Sequence, residues 1–178
     1  SSAYSGGRAS GMVDRICATF MIGPFSPPSA SRRSAACLDR SICMPRYKLA
    51  ERLDAPVCVG YQHNDAFPGS HPLFAGPLGY NGSKAGMELI SKADVVLCLG
   101  TRLNPFSTLP GYGIDYWPKD AKIIQVDINP DRIGLTKKVT VGIIGDAKNV
   151  ASALLEKLSD TAGDSGRTER KATIAQTK

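Results

Sequence analysis

The chain has 178 residues, 42% of them hydrophobic, which is enough for one domain with a real core and argues against wholesale disorder. Its net charge of +6 is confined to the ends: +4 over residues 1–46, +2 over residues 164–178 and zero between. A neutral middle between basic ends excludes a nucleic-acid-binding stripe and reads as solvated termini.

Residues 1–46 do not resemble the remainder. They hold nine Ser and six Arg but no Lys, and Pro24, Pro27, Pro28 and Pro45 interrupt any helix. No period of 2 or 3.6 persists, so the segment stays without an assigned fold, as a leader either disordered or translated out of frame.

From Tyr47 onward a pattern emerges. Leu49, Ala50 and Leu53 share one face of a helix that ends at Asp54-Ala55-Pro56. Residues 57–61 predict a strand. Residues 62–82, with Pro68, Gly69, Pro72, Gly76, Pro77 and Gly79, predict a long loop of the kind that often carries function. Ser83 can cap a helix running to Lys92, with Ala85, Leu89 and Ile90 apolar. Residues 93–100 predict a second strand and residues 101–117 another long loop. Residues 122–127 predict the third strand, followed by an Asn129-Pro130-Asp131 turn and a short helical turn. Residues 139–144 predict the fourth. Asp146 caps a closing helix in which Val150, Ala153, Leu154 and Leu158 form an apolar stripe. Residues 159–178 are polar and aperiodic, and read as a linker or frayed tail.

The runs at residues 95–99, 123–126 and 139–144 are short, β-branched and stopped by Gly or Asp, as in strands buried on both faces. Strands separated by helices or long crossovers predict an α/β fold: a Rossmann-like open parallel sheet with flanking helices over residues 47–158. A sheet of this kind usually has more strands. The missing ones are expected before Tyr47, so the domain reads as incomplete at its N-terminus.

In such sheets ligands bind at the carboxyl edge. Three strand ends deliver candidates there. Gly100 allows close backbone approach, and Arg102 can fork onto a phosphate or remain a surface residue. Asp127 can accept a ribose hydroxyl or cap the Asn129 turn. Gly145-Asp146 can offer an anion or ribose contact, with Asp146 an N-cap first. No catalytic constellation accompanies them: there is no nucleophile elbow, no HExxH and no GxGxxG after a strand. His63 and His71 sit in a loop, where a His is ordinarily exposed or backbone-bonded. Tyr112, Tyr116 and Trp117 predict packing against a neighbouring domain.

The five Cys form no CxxC, and neither His63 nor His71 has ligand spacing to any of them, so no metal site is predicted. Cys58 and Cys98, inside predicted strands, read as small hydrophobes. These features, with no membrane span or signal peptide in the pattern, predict a reducing cytoplasm.

ADVVLCLGTRLN, IIQVDINPDRIG and VGIIGDAKNV resemble, in order, the middle domain of thiamine-diphosphate-dependent enzymes of the acetohydroxyacid synthase and pyruvate oxidase group. The loop segments NDAFPGSHPLFAGPLGYNGSKAGMELISKADVV and LNPFSTLPGYGIDYWP resemble the branch acting on sulfoacetaldehyde. The resemblance begins near Tyr47. It implies release of sulfite from sulfoacetaldehyde, passage of the acetyl group to phosphate, and a homo-oligomeric enzyme without nucleic-acid or membrane partners. It places the catalytic Glu, and the motif for Mg2+ and diphosphate, in N- and C-terminal domains that this chain lacks. The chain therefore reads as a fragment, inactive alone. In FAD-binding relatives the matching positions that contact the dinucleotide are Gly79, Gly82, Gly100, Arg102, Asp127, Ile128, Gly145 and Asp146. Asn81 stands where those relatives have His, and Asn104-Pro105-Phe106 where they have acidic residues. FAD, ADP or an empty crevice all stay open, as do a non-catalytic nucleotide-binding or oligomerisation module and another lyase of the group.

Overall fold

The computed structural model describes residues 18–22, 40–159 and 167–177. Six strands form one parallel sheet in the order β3-β2-β1-β4-β5-β6. They are β1 (Ala18–Ile22), β2 (Val57–Gly60), β3 (Phe74–Leu78), β4 (Val95–Leu99), β5 (Lys122–Asp127) and β6 (Val141–Ile144). The helices are α1 (Arg40–Leu53), α2 (Lys84–Ser91), α3 (Ala147–Ser159) and α4 (Arg167–Thr177). This is the strand order of doubly wound nucleotide-binding sheets, so the Rossmann-like expectation holds.

The core centres on the apolar runs of β2 and β4. β2 is buried at every position and β4 at all but Val95. Helix α1 packs on α3, where Arg52 donates to the Leu158 carbonyl at 3.1 Å. Helix α2 packs on β3 and α4, burying Met87, Leu89 and Ile90. Ser83 caps α2 as expected, its hydroxyl accepting from the Gly86 N–H at 3.2 Å. Among the described residues no helix is long and apolar enough to cross a membrane.

Four expectations change. First, the segment left without a fold supplies β1, a strand where the missing ones were expected before Tyr47, and the start of α1. The run ATFMI is too short for a periodic signal, but its backbone pairs with both β2 and β4, which makes it a central strand. Residues 1–17 and 23–39 of that segment lie outside the described residues. Second, β3 lies inside the predicted loop of residues 62–82. Gly76 and Pro77 hide it, and it tolerates them because it is an edge strand with a register shift opposite Val57 and Cys58. Third, β6 is not buried on both faces. It is the other edge, with β5 its one neighbour, and Ile144 is 66% exposed. Fourth, α4 forms within the expected tail, buries Ile174 and brings Lys171 Nζ to 3.2 Å from Asp54 Oδ1. Residues 160–166 and 178 lie outside the described residues. In α3 the buried alanine is Ala151, and Ala153 of the predicted stripe faces solvent.

Candidate functional site

The sheet splits the eight candidate positions into two groups. Register pairs Leu99 with Val126 and Asp127 with Ile144. Gly100, Arg102, Asp127, Ile128, Gly145 and Asp146 therefore leave three adjacent strands at one edge, with roughly 4.8 Å between neighbours. Gly79 and Gly82 follow β3, at the far side of the sheet. The loop after β4 reaches them: Tyr80 N–H donates to the Phe106 carbonyl at 3.1 Å, and Tyr112 Oη donates to the Gly82 carbonyl at 3.0 Å.

Gly79 and Gly82 serve this backbone packing. Gly79 has φ +95°, and a Cβ there would run into the Phe106 carbonyl. A Cβ at Gly82 would meet the Pro77 and Gly79 carbonyls at 2.7 and 2.8 Å.

The other six positions divide by what they already do. Gly100 N–H donates to the Val126 carbonyl at 2.8 Å and Gly145 N–H to the Asp127 carbonyl at 3.0 Å, so both amides are committed to the edge itself. Asp127 is 3% exposed and its Oδ1 accepts from Asn129 N–H at 2.9 Å, which is the turn-capping alternative. Asp146 is an N-cap, its Oδ1 accepting from Lys148 and Asn149 N–H at 2.9 and 3.0 Å. Its carboxylate occupies the helix N-terminus where an anion would otherwise sit. Ile128 is 73% exposed. Arg102 is also exposed, and its guanidinium makes no ion pair or hydrogen bond among the described residues. An uncommitted guanidinium on the same sheet edge as an exposed apolar residue can take an anionic group, but supplies no nucleophile or base.

Gln125 was not singled out by the sequence, and it organises this edge. It is 1% exposed. Its Nε2 donates to the Thr101 and Arg132 carbonyls at 2.9 and 3.0 Å, and its Oε1 accepts from Gly134 N–H at 2.9 Å. Two carbonyls and one N–H fix the orientation of the amide. The signal was a lone polar residue inside the apolar run IIQV, since a buried amide must find partners.

His71 is structural. His71 Nδ1 accepts from Leu73 N–H at 3.1 Å, which leaves the proton on Nε2, 3.2 Å from Glu51 Oε1. Its ring meets Phe67 edge-on at 5.0 Å between centroids. Burial pushes His63 below its usual value, with Asp65 opposing. Tyr116, expected to meet a neighbouring domain, is instead buried in this one. Its hydroxyl donates to the Ser107 carbonyl at 3.0 Å, and burial pushes its pKa up. Tyr112 is exposed, and Trp117 lies under Lys137 Nζ, 5.2 Å from the ring centroid. Burial also raises the Cys98 thiol, consistent with a small hydrophobe and not a nucleophile.

The family model for the central domain of thiamine pyrophosphate enzymes matches residues 46–154. The chain belongs to that family. As a central domain it is 86% identical over 131 residues to the sulfoacetaldehyde acetyltransferase of Roseovarius nubinhibens, covering 74% of this chain and 22% of that protein. It is 77% identical over 130 residues to the sulfoacetaldehyde acetyltransferase of Rhodobacter capsulatus, covering 73% of this chain and 22% of that one. Acetolactate synthase large subunit from Corynebacterium glutamicum is 36% identical over 107 residues, covering 60% of this chain and 17% of that one. The chain thus spans about a fifth of the length of the curated relatives it matches. A thiamin diphosphate-dependent enzyme from Mycobacterium smegmatis has a similar fold, with TM-score 0.54 and 28% identity, covering 78% of this chain and 24% of that one.

The central domain's own residues do not fit the cofactor's metal-diphosphate anchor. Among the described residues no group of three or more His, Cys, Asp or Glu could hold a metal ion.

Proposed function

We propose that this chain is the central domain of a sulfoacetaldehyde acetyltransferase, a cytoplasmic enzyme that converts sulfoacetaldehyde and phosphate to acetyl phosphate and sulfite. The observation that carries this reading is the 86% identity over 131 residues, far above the 36% shared with an acetolactate synthase. Thiamine diphosphate, with Mg2+, would supply the carbon chemistry from other domains of a homo-oligomeric enzyme. This domain contributes a scaffold and, at its carboxyl edge, an adenine-nucleotide crevice in which Arg102 takes a phosphate. The lack of a partner for Arg102 among the described residues supports the crevice.

Two measurements test the reading. The chain alone, given sulfoacetaldehyde, phosphate, thiamine diphosphate and Mg2+, should form no acetyl phosphate; product above a no-protein control would show that it carries its own catalytic centre. Calorimetric titration with ADP and with FAD should give heat from at least one. No heat from either would leave a purely structural or oligomerisation module.

A further inference from the structure

Arg102 projects into solvent, yet the backbone that carries it is held on both sides. The preceding carbonyl, Thr101 O, accepts from buried Gln125 Nε2 at 2.9 Å. Its own carbonyl accepts from Thr136 Oγ1 at 3.4 Å. The next residue, Leu103, is buried at φ +53°, and its N–H donates to Thr101 Oγ1 at 3.2 Å. A non-glycine residue in that region is strained, so surrounding contacts must hold it there. Gln125 supplies one of them and reaches further. The same amide holds the Arg132 carbonyl and the Gly134 N–H, in the segment that follows β5 and also contains Thr136.

We infer that Gln125 is the positioning residue of the crevice: its buried amide locks the loop after β4 to the segment after β5 and so aims Arg102 at a ligand phosphate. This rests on the nucleotide reading given above and assigns the residue that makes it work. A long flexible arginine gains from a phosphate only what its ordering does not cost. A fixed backbone lowers that cost before the ligand arrives.

The test is a double-mutant cycle on the full 178-residue chain, with ADP as the probe and affinity read by calorimetry. Gln125→Met keeps the length and removes all three bonds. Gln125→Glu keeps an acceptor for Gly134 N–H but sets a carboxylate against the Thr101 and Arg132 carbonyls, and serves if the Met variant fails to fold. Either change should weaken ADP about tenfold, the scale of one charge-assisted bond misplaced. Combined with Arg102→Ala, it should add less than about twofold, because both changes remove the same contact. Amide exchange should quicken at Gly134 in the Met variant, with the interiors of β4 and β5 unchanged.

Losses that multiply independently of Arg102 would overturn the inference while leaving the crevice intact. Unaltered ADP affinity in both Gln125 variants would do the same. Failure of the unmodified chain to bind ADP would remove this inference, and failure to bind FAD as well would remove the crevice reading with it, whereas exchange at Gly134 would still show whether the clamp exists.

Discussion

Arg102 and Asp127 differ in what the fold leaves them free to do. Arg102→Ala should weaken ADP by roughly 1.5–3 kcal/mol, the value of a hydrogen bond to a charged group. Asp127→Asn should cost less, because Asn keeps an Oδ1 for the Asn129 N–H and the native carboxylate is almost wholly enclosed. Equal losses, measured by calorimetry, would show that the carboxylate charge reaches the ligand. His63 gives a second expectation at this scale. Its folded pKa lies below the ordinary 6.5 because burial disfavours the imidazolium. Between those two values the unfolded chain binds more protons, so stability rises with pH there. The contribution is whole above about 6.5 and is lost as pH falls through the folded value. His63→Gln should flatten the dependence of the urea midpoint on pH just below about 6.5. A slope that stays as steep would assign it to other groups.

Among the elements, the edges separate prediction from outcome. The sequence pattern of β4 and of β2 was enough, because strands with a neighbour on each side and helices above and below must be apolar throughout. β6 carries the same apolar letters and is largely exposed, since position in the sheet decides burial and composition does not. β3 shows the converse: Gly76 and Pro77 argue against a strand until an edge position permits them. Helix α4 was hidden by a polar sequence with a single well-buried aliphatic side chain among its described residues, Ile174 at 4% exposure. Ile174→Ala should cost about 2–4 kcal/mol if α4 is docked as described. A change near zero in urea unfolding would restore the reading of residues 159–178 as a linker. Lys171→Ala should matter less, since the Lys171 side chain is largely exposed and Asp54 is the buried member of the pair.

For the molecule as a whole, β1 is the decisive element. It joins the β2–β3 half to the β4–β5–β6 half, and among the described residues no other strand pairs with both. Deleting residues 1–39 should abolish a single cooperative unfolding transition, because each half would expose a row of unpaired backbone groups. If the shortened chain unfolds cooperatively with the midpoint of the full one, the strand at Ala18–Ile22 is not part of the working fold. Residues 1–39 would then remain a leader outside it.

The sequence by itself determined the class of the molecule and which residues leave the carboxyl edge of its sheet. Short β-branched runs ending in Gly or Asp can be satisfied by few arrangements other than a parallel sheet, and parallel strands deliver their ends to one side whatever their order. It also determined local devices, such as the Ser83 and Asp146 caps and the Asn129 turn, because these depend on neighbours within three residues. The tertiary structure alone decided strand order, the edge roles of β3 and β6, and the place of β1. It also decided the role of Gln125, whose partners lie 24, 7 and 9 residues away. Such pairings leave no local imprint, since a carbonyl acceptor is present at every residue and only the folded chain chooses which one the buried amide meets.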